Sequence, residues 1–179
     1  KEIKLTVADE YPYILLCIVI ICFECIITAY AVVIPRRVKY FSGEFMKQFT
    51  KDHQLAFGAE SQLPQGGFPD NGCGYYANKL PYSHWLDLNN GMRVHQNFVE
   101  YLPGIVGFLA VAGTVFPQAT LIVACLNCFF RPIYIFTYLK GGSNNRYIGV
   151  VGGNFPLYLL GFGSLGKLFY DIVLKSIAA

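Results

Sequence analysis

Four runs of apolar residues, each long enough to cross a bilayer, decide what this chain can become. The first is residues 11–34, YPYILLCIVIICFECIITAYAVVI; the others lie at about 98–115, 119–139 and 147–174. A hydrocarbon layer of ~30 Å needs about 20 residues of helix to span it. Inside that layer a peptide N–H or C=O finds no water, so each span must satisfy its own backbone as a helix. The expectation is an all-α integral membrane four-helix bundle, read as a single four-span domain over 1–179, with an extended loop at about 41–92 between spans one and two. Charged residues make up 14% of the chain, against about a quarter in a soluble domain. A net charge of +3, small and confined to loops, argues against a nucleic-acid surface.

The chain opens on Lys1 without an initiator methionine, so a processed or partial chain is expected. No signal peptide precedes the first span, which is expected to be its own insertion signal. FPQ at 116–118 is short enough to make spans two and three a hairpin. Four spans put both termini on one side and the loops 35–92 and 140–146 on the other. Arg36, Arg37, Lys39, Arg93, Lys140 and Arg146 all fall on that loop side, which the positive-inside tendency places in the cytosol or a mitochondrial matrix. The N-terminal tail, with Lys1, Glu2, Lys4, Asp9 and Glu10, mixes both signs.

Within the long loop, FSGEFMKQFTKDHQLAFGAE has Phe41, Phe45 and Phe49 four residues apart, the pattern of an amphipathic helix lying on a surface. LPQGGFPDNGCGYYANKLPYSHW, rich in Gly, Pro and Asn, reads as turns. A loop of this length serves either as a lid or partner contact or as a membrane-surface cap. Cys22/Cys25 and Cys125/Cys128 each have CxxC spacing, but both pairs lie inside apolar runs without histidine or flanking turns. They read as small packing residues rather than metal ligands. Cys73, alone in a polar loop, reads as a free thiol.

Polar groups in a span usually face a bundle interior or a cavity. In MRVHQNFVEYLP, Arg93, Asn97 and Glu100 fall at i, i+4 and i+7, one helical face, with Tyr101 a step round. Arg131, Tyr134 and Tyr138 fall at i, i+3 and i+7 in span three, again one face, and Arg36, Arg37 and Arg146 form a basic collar. All are expected at the same membrane face. Guanidinium forks, one carboxylate, an amide and phenols suit a small zwitterion with more than one carboxylate. An interhelical salt-bridge network with an interfacial tyrosine belt fits the same residues. Glu24, the one charge within span one, is expected to be protonated, paired or wetted. The glycines of span four read as helix-packing sites.

RVHQNFVEYLP resembles the second-helix signature of the membrane-associated eicosanoid and glutathione metabolism (MAPEG) superfamily. RxHQNxxE looks most like the type-three microsomal glutathione S-transferases. RPIYIFTY followed by Arg146 resembles the family's third-helix pattern, and the arginine pair ending span one also fits. The resemblance covers about 11–40 and 92–175. It implies a homotrimer of four-helix bundles that binds glutathione, as co-substrate, between neighbouring subunits. It also implies a transferase or peroxidase acting on lipophilic electrophiles or lipid hydroperoxides, in an endoplasmic reticulum or mitochondrial membrane. Position by position, Arg93, Asn97, Glu100, Tyr134 and Tyr138 match glutathione-binding residues, with Tyr101 and one of Arg36 and Arg37 as additions. Arg146 matches the arginine that stabilises the glutathione thiolate, a catalytic role; Asn145 occupies the position some members give it. The chain differs from the family pattern in its longer loop, in Pro132 after Arg131, and in Thr137 where a glycine is common. The long loop, Pro132 and the processed-looking N-terminus also fit another class: a non-catalytic accessory subunit among other membrane subunits, for instance in a mitochondrial respiratory complex.

Overall fold

The computed structural model describes residues 8–177; Lys1, Glu2 and Lys4 of the mixed-charge tail lie outside them. Among the described residues there are helices and turns and no strand. Helix α1 (Tyr11–Thr28) continues through a π segment (Ala29–Val33) into α2 (Ile34–Tyr40). Short helices α3 (Gly43–Met46) and α4 (Thr50–Phe57) follow, then 3₁₀ turns at Gln65–Gly67 and Ala77–Lys79. Next come α5 (Tyr82–Val115) and α6 (Pro117–Gly141). The chain ends with α7 (Tyr147–Gly149), a second π segment (Val150–Asn154) and α8 (Phe155–Ile177). Among the described residues, four helical stretches are long and apolar enough to cross a membrane: Tyr11–Tyr40, Tyr82–Val115, Pro117–Asn145 and Tyr147–Leu174. The protein is an all-α membrane protein.

Both π segments have the same local cause. Each ends two residues before a proline, Pro35 or Pro156. A proline has no N–H, and its ring crowds the carbonyl four residues back, here Ala31 or Gly152. The ladder lengthens over that carbonyl instead of breaking: Ile34 N–H donates to Ala29 O, and Phe155 N–H donates to Val150 O, each five residues back. Pro103 and Pro132 sit inside α5 and α6 without such a segment. Helix α6 runs through Pro132 uninterrupted.

Helix α5 starts at Tyr82, well before the apolar run near 98, so helix and span are not the same length here. At its other end a single residue, Phe116, separates it from α6. Pro117 takes the first turn of α6, where its missing N–H costs nothing.

The chain forms two compact units, one of Lys1–Cys25 with Val99–Ala179 and one of Ile26–Phe98. In the first, α1 buries Ile14, Cys17, Ile18, Ile21 and Cys25 and leaves Tyr13, Leu16, Phe23 and others exposed, the division of an inward stripe from a lipid-facing one. The glycines allow close packing. A Cβ built on Gly149 would lie 2.6 Å from Tyr134 Cα on α6, and one on Gly113 would lie 2.8 Å from the Tyr11 ring. Asn127, fully buried, donates from Nδ2 to Gly153 O at 3.1 Å, tying α6 to the π turn. Only 11% of the most apolar window of Tyr147–Leu174 is buried, so this last span faces mostly outward.

The second unit contains most of the long loop, and it is folded. Tyr40, Phe41, Met46, Phe49, Ala77, Leu80 and Leu88 make its core. Phe41 and Phe49, spaced for one face of a surface helix, instead turn into this core, and Phe45 packs against it. Phe41 and Phe49 are 2% and 3% exposed, and Phe49 packs its ring 4.8 Å from that of Tyr76. The aromatic partners lie some distance along the chain, and they turn the phenylalanines inward. The segment after residue 63 consists of turns, as its composition predicts, until α5 begins.

Gly149→Ala is expected to drive its new methyl into the α6 backbone and to destabilise the protein by about 1–3 kcal/mol. Gly163→Ala, whose Cβ meets nothing within 4 Å, should leave stability unchanged or slightly raised. Thermal unfolding of both variants in one detergent checks the contrast.

Candidate functional site

Four of the anticipated residues, Arg93, Asn97, Glu100 and Tyr101, stand on α5. Its helix is unbroken from Tyr82 to Val115, so the i, i+4, i+7 spacing of Arg93, Asn97 and Glu100 does place them on one side of a helix. Arg93 and Glu100 are exposed, and Asn97 and Tyr101 are half-buried.

In the unit of Lys1–Cys25 with Val99–Ala179, α6 brings Arg131, Tyr134 and Tyr138 together, all buried. The tyrosine rings lie 5.7 Å apart. The Arg131 guanidinium sits 5.5 Å from the centre of the Tyr101 ring and 5.9 Å from that of Tyr134, within range of an attraction between cation and ring face. Glu24 on α1, half-buried, lies within electrostatic reach of Arg131. Tyr158 on α8 lies within electrostatic reach of Tyr101 and Arg131. No sequence pattern pointed to Tyr158, because its partners come from other helices. Arg146 stands exposed at the entrance to α7, where its carbonyl accepts from Val150 N–H at 3.1 Å.

In the unit of Ile26–Phe98, the arginine pair ending the first span has structural partners. Arg36 Nε donates to Asp87 Oδ1 at 3.2 Å, and the Tyr40 hydroxyl donates to Asp87 Oδ2 at 2.7 Å. Arg37, 3% exposed, donates from Nε to Gly66 O at 3.1 Å and from Nη1 to Asp70 O at 2.6 Å. Its guanidinium lies 3.8 Å over the Phe68 ring. Asp70 in turn gathers four backbone N–H groups on its carboxylate. Oδ1 accepts from Gly72 and Gly74 at 2.8 and 2.9 Å, and Oδ2 accepts from Tyr76 and Ala77 at 2.9 and 2.8 Å. Asn89 on α5 donates to Gly72 O at 2.7 Å and closes the arrangement. Gly67 completes it: at φ +67 a Cβ would fall 2.5 Å from the Phe41 ring, so neither the backbone nor the space admits another residue.

Cysteine sulfur does not assemble into a metal site among the described residues: no group of three His, Cys, Asp or Glu side chains could hold a metal ion there. Cys128 instead contacts the Cys17 carbonyl at 3.6 Å, a packing contact between α6 and α1. All six cysteines, Cys73 included, are free thiols.

Four apolar helices with charged and phenolic groups inside them define a polytopic α-helical membrane protein. The family follows from comparison. A family model described as the MAPEG family matches residues 14–166, and the chain belongs to that family. No curated protein and no solved structure matches it. Membership supports, in general terms, a glutathione-related transferase or peroxidase function or one of eicosanoid type.

Lysine at position 37 would present a single donor head, unable to span two carbonyls or to stack on Phe68. Arg37→Lys is expected to speed amide hydrogen exchange at Gly72, Gly74, Tyr76 and Ala77 about tenfold, the equivalent of ~1.4 kcal/mol. Amides in α6 should be unaffected. Mass-spectrometric exchange on the detergent-solubilised protein reads both.

Proposed function

We propose that the chain is a glutathione-dependent transferase or peroxidase acting on lipophilic electrophiles or lipid hydroperoxides at a membrane. The observation that carries this is the polar side of α5. Arg93, Asn97 and Glu100 recur on one uninterrupted helix, inside the stretch matched to the family. Glutathione carries two carboxylates and an ammonium. In this reading Arg93 takes a carboxylate through its guanidinium fork, Glu100 takes the ammonium, and Asn97 bonds the peptide between them. Tyr134, Tyr138 and Tyr101 supply phenols to the same ligand. Of the arginine pair, Arg36 is the one assigned to glutathione, since Arg37 is occupied by the loop carbonyls. The working form is a homotrimer, the pattern closest to that of the type-three microsomal enzymes, in an endoplasmic reticulum or mitochondrial membrane.

Arg146 is assigned to the sulfur. A cation beside a thiol of pKa about 8.5 favours the thiolate, the nucleophilic form. With an electrophilic lipid, the thiolate forms a C–S bond as the bond to the leaving group or epoxide oxygen breaks. With a hydroperoxide, the thiolate attacks the outer oxygen and the O–O bond breaks, giving a lipid alcohol and a sulfenic acid. A second glutathione converts the sulfenic acid to the disulfide and water.

One observation favours a second reading, a non-catalytic subunit of a larger membrane assembly. The folded segment between α2 and α5 exposes Leu55, Phe57 and Tyr75, each at least 60% accessible, apolar area that suits contact with another protein. Isolation as one copy among unlike chains would favour this reading over three like chains.

Titrating bound glutathione by the ultraviolet absorbance of its thiolate tests the enzymatic reading. The intact protein is expected to form thiolate well below the free value of about 8.5. Arg146→Ala should return the transition toward that value and lower turnover by about 10²-fold or more, with folding intact by thermal unfolding. No turnover in the intact protein above the Arg146→Ala background would overturn the assignment.

A further inference from the structure

Outside the spans, in the unit of Ile26–Phe98, aromatic rings gather around a small hollow. Phe49 ends a 3₁₀ turn that leads into α4, and Asp52, His53 and Phe57 follow on that helix. They fall at i, i+3, i+4 and i+8, one side of a helix. Tyr75 and Tyr76 close the hollow from the glycine-rich turns. Those turns are fixed by Asp70, whose Oδ2 accepts from Tyr76 N–H at 2.9 Å. The space enclosed is about 210 Å³, and Ala56, the small residue at i+7 on the same helical side, helps to keep it open.

The Phe49 ring lies 5.6 Å from that of Tyr75 and 4.8 Å from that of Tyr76, and the His53 and Phe57 rings pair at 4.8 Å. Their planes are inclined to one another by 42° to 63°, so the rings do not stack into one slab. Asp52 supplies the one carboxylate among the lining side chains. Its Oδ2 accepts from the Tyr75 hydroxyl at 2.7 Å, which ties α4 to the loop and holds the charge beside the rings. Phe49 is 3% exposed, whereas Tyr75 and Phe57 are 60% and 74% exposed. The floor thus belongs to the aromatic core, and the rim is open to solvent.

The face of an aromatic ring attracts a cation within about 6 Å of its centre, and a carboxylate attracts the same charge. Both oppose an anion. Among cations, a primary ammonium or a guanidinium would give up N–H bonds to water, and the lining side chains return few acceptors. A quaternary ammonium has no N–H to lose. Size selects the same guest: drug-sized ligands fill sites of about 300–1,000 Å³, and this smaller hollow suits a compact head.

We propose that this hollow binds a quaternary ammonium group of the choline class, with the cation against the Phe49, Tyr75 and Phe57 rings and Asp52 balancing its charge. Two sources carry that group, a lipid headgroup and a free choline compound, and the recognition chemistry is the same for both. The site uses none of the residues assigned to glutathione and does not depend on that reading.

The test uses the full chain in maltoside micelles, which contain no choline, and reads binding by ligand-observed NMR. The probes are choline, ethanolamine, and the uncharged isostere of choline in which a tert-butyl group replaces the trimethylammonium. Choline should bind about tenfold tighter than the isostere, and tighter than ethanolamine. Asp52→Asn keeps an acceptor for Tyr75 but loses the charge; it should weaken choline about fivefold and leave the isostere unchanged. Tyr75→Leu keeps apolar bulk without the ring and should weaken choline about fivefold. Thermal unfolding checks that both variants are folded. Nanodiscs then separate the sources. Soluble choline that binds in phosphatidylglycerol discs but is excluded in phosphatidylcholine discs assigns the site to the headgroup; equal binding in both assigns it to the free compound. Either result upholds the site. An isostere or ethanolamine that binds as tightly as choline overturns the proposal, and so does choline affinity left unchanged by both substitutions.

Discussion

A peptide group inside hydrocarbon has only its own helix to bond to, and the rest of this structure follows from that constraint. It makes four long segments helical whatever else they carry, including prolines. Before Pro35 and Pro156 the hydrogen-bond ladder widens by one residue instead of opening. It also raises the cost of every polar side chain in those segments, so the ones present occur in company. Arg131 has two tyrosine rings and a carboxylate near it, and Asn127 bonds to the π turn of the next helix. Glu24, Tyr101, Arg131 and Tyr158 bring α1, α5, α6 and α8 to one such group.

Outside the spans different physics applies. The segment between α2 and α5 has its own aromatic core and a carboxylate bonded to four backbone N–H groups. Four hydrogen bonds to one ion, each of the stronger charge-assisted kind, fix turns that glycine-rich sequence would otherwise leave open. Arg37 links that knot to the end of the first span. The two arginines that look equivalent in sequence thus differ in what they can still do. Arg36 lies at an ion pair with one flank accessible, and Arg37 is sealed.

The spans were legible because apolar runs report burial in lipid directly, and the matched family confirms that reading of the fold. The start of α5 was not, because YSHWLDLNNGMRVHQN is polar and its helix is held by contacts such as Leu88 in the aromatic core. Phe41, Phe45 and Phe49 showed helical spacing but not their destination. Tyr75 and Tyr76, the rings they meet, stand about 30 residues on. The role of Arg37 was hidden for the same reason, since Gly66 and Asp70 are distant in sequence and contribute only carbonyls. Within the candidate site, spacing along one helix was readable for Arg93, Asn97 and Glu100. The approach of Tyr158 to Tyr101 was not, because it joins two helices and no period records it.

The two compact units differ in how they are written along the chain. Ile26–Phe98 is continuous, while the other unit needs its first helix and everything from Val99 onward. During synthesis the continuous unit has all its partners, Arg37, Asp70 and Asn89 among them, once Phe98 has left the ribosome. It can close while α6 and α8 are still unmade. The other must hold α1 in the membrane, with Glu24 in it, until Arg131 has been made. For that interval the Glu24 carboxyl has only water, lipid headgroups or the insertion machinery to satisfy it.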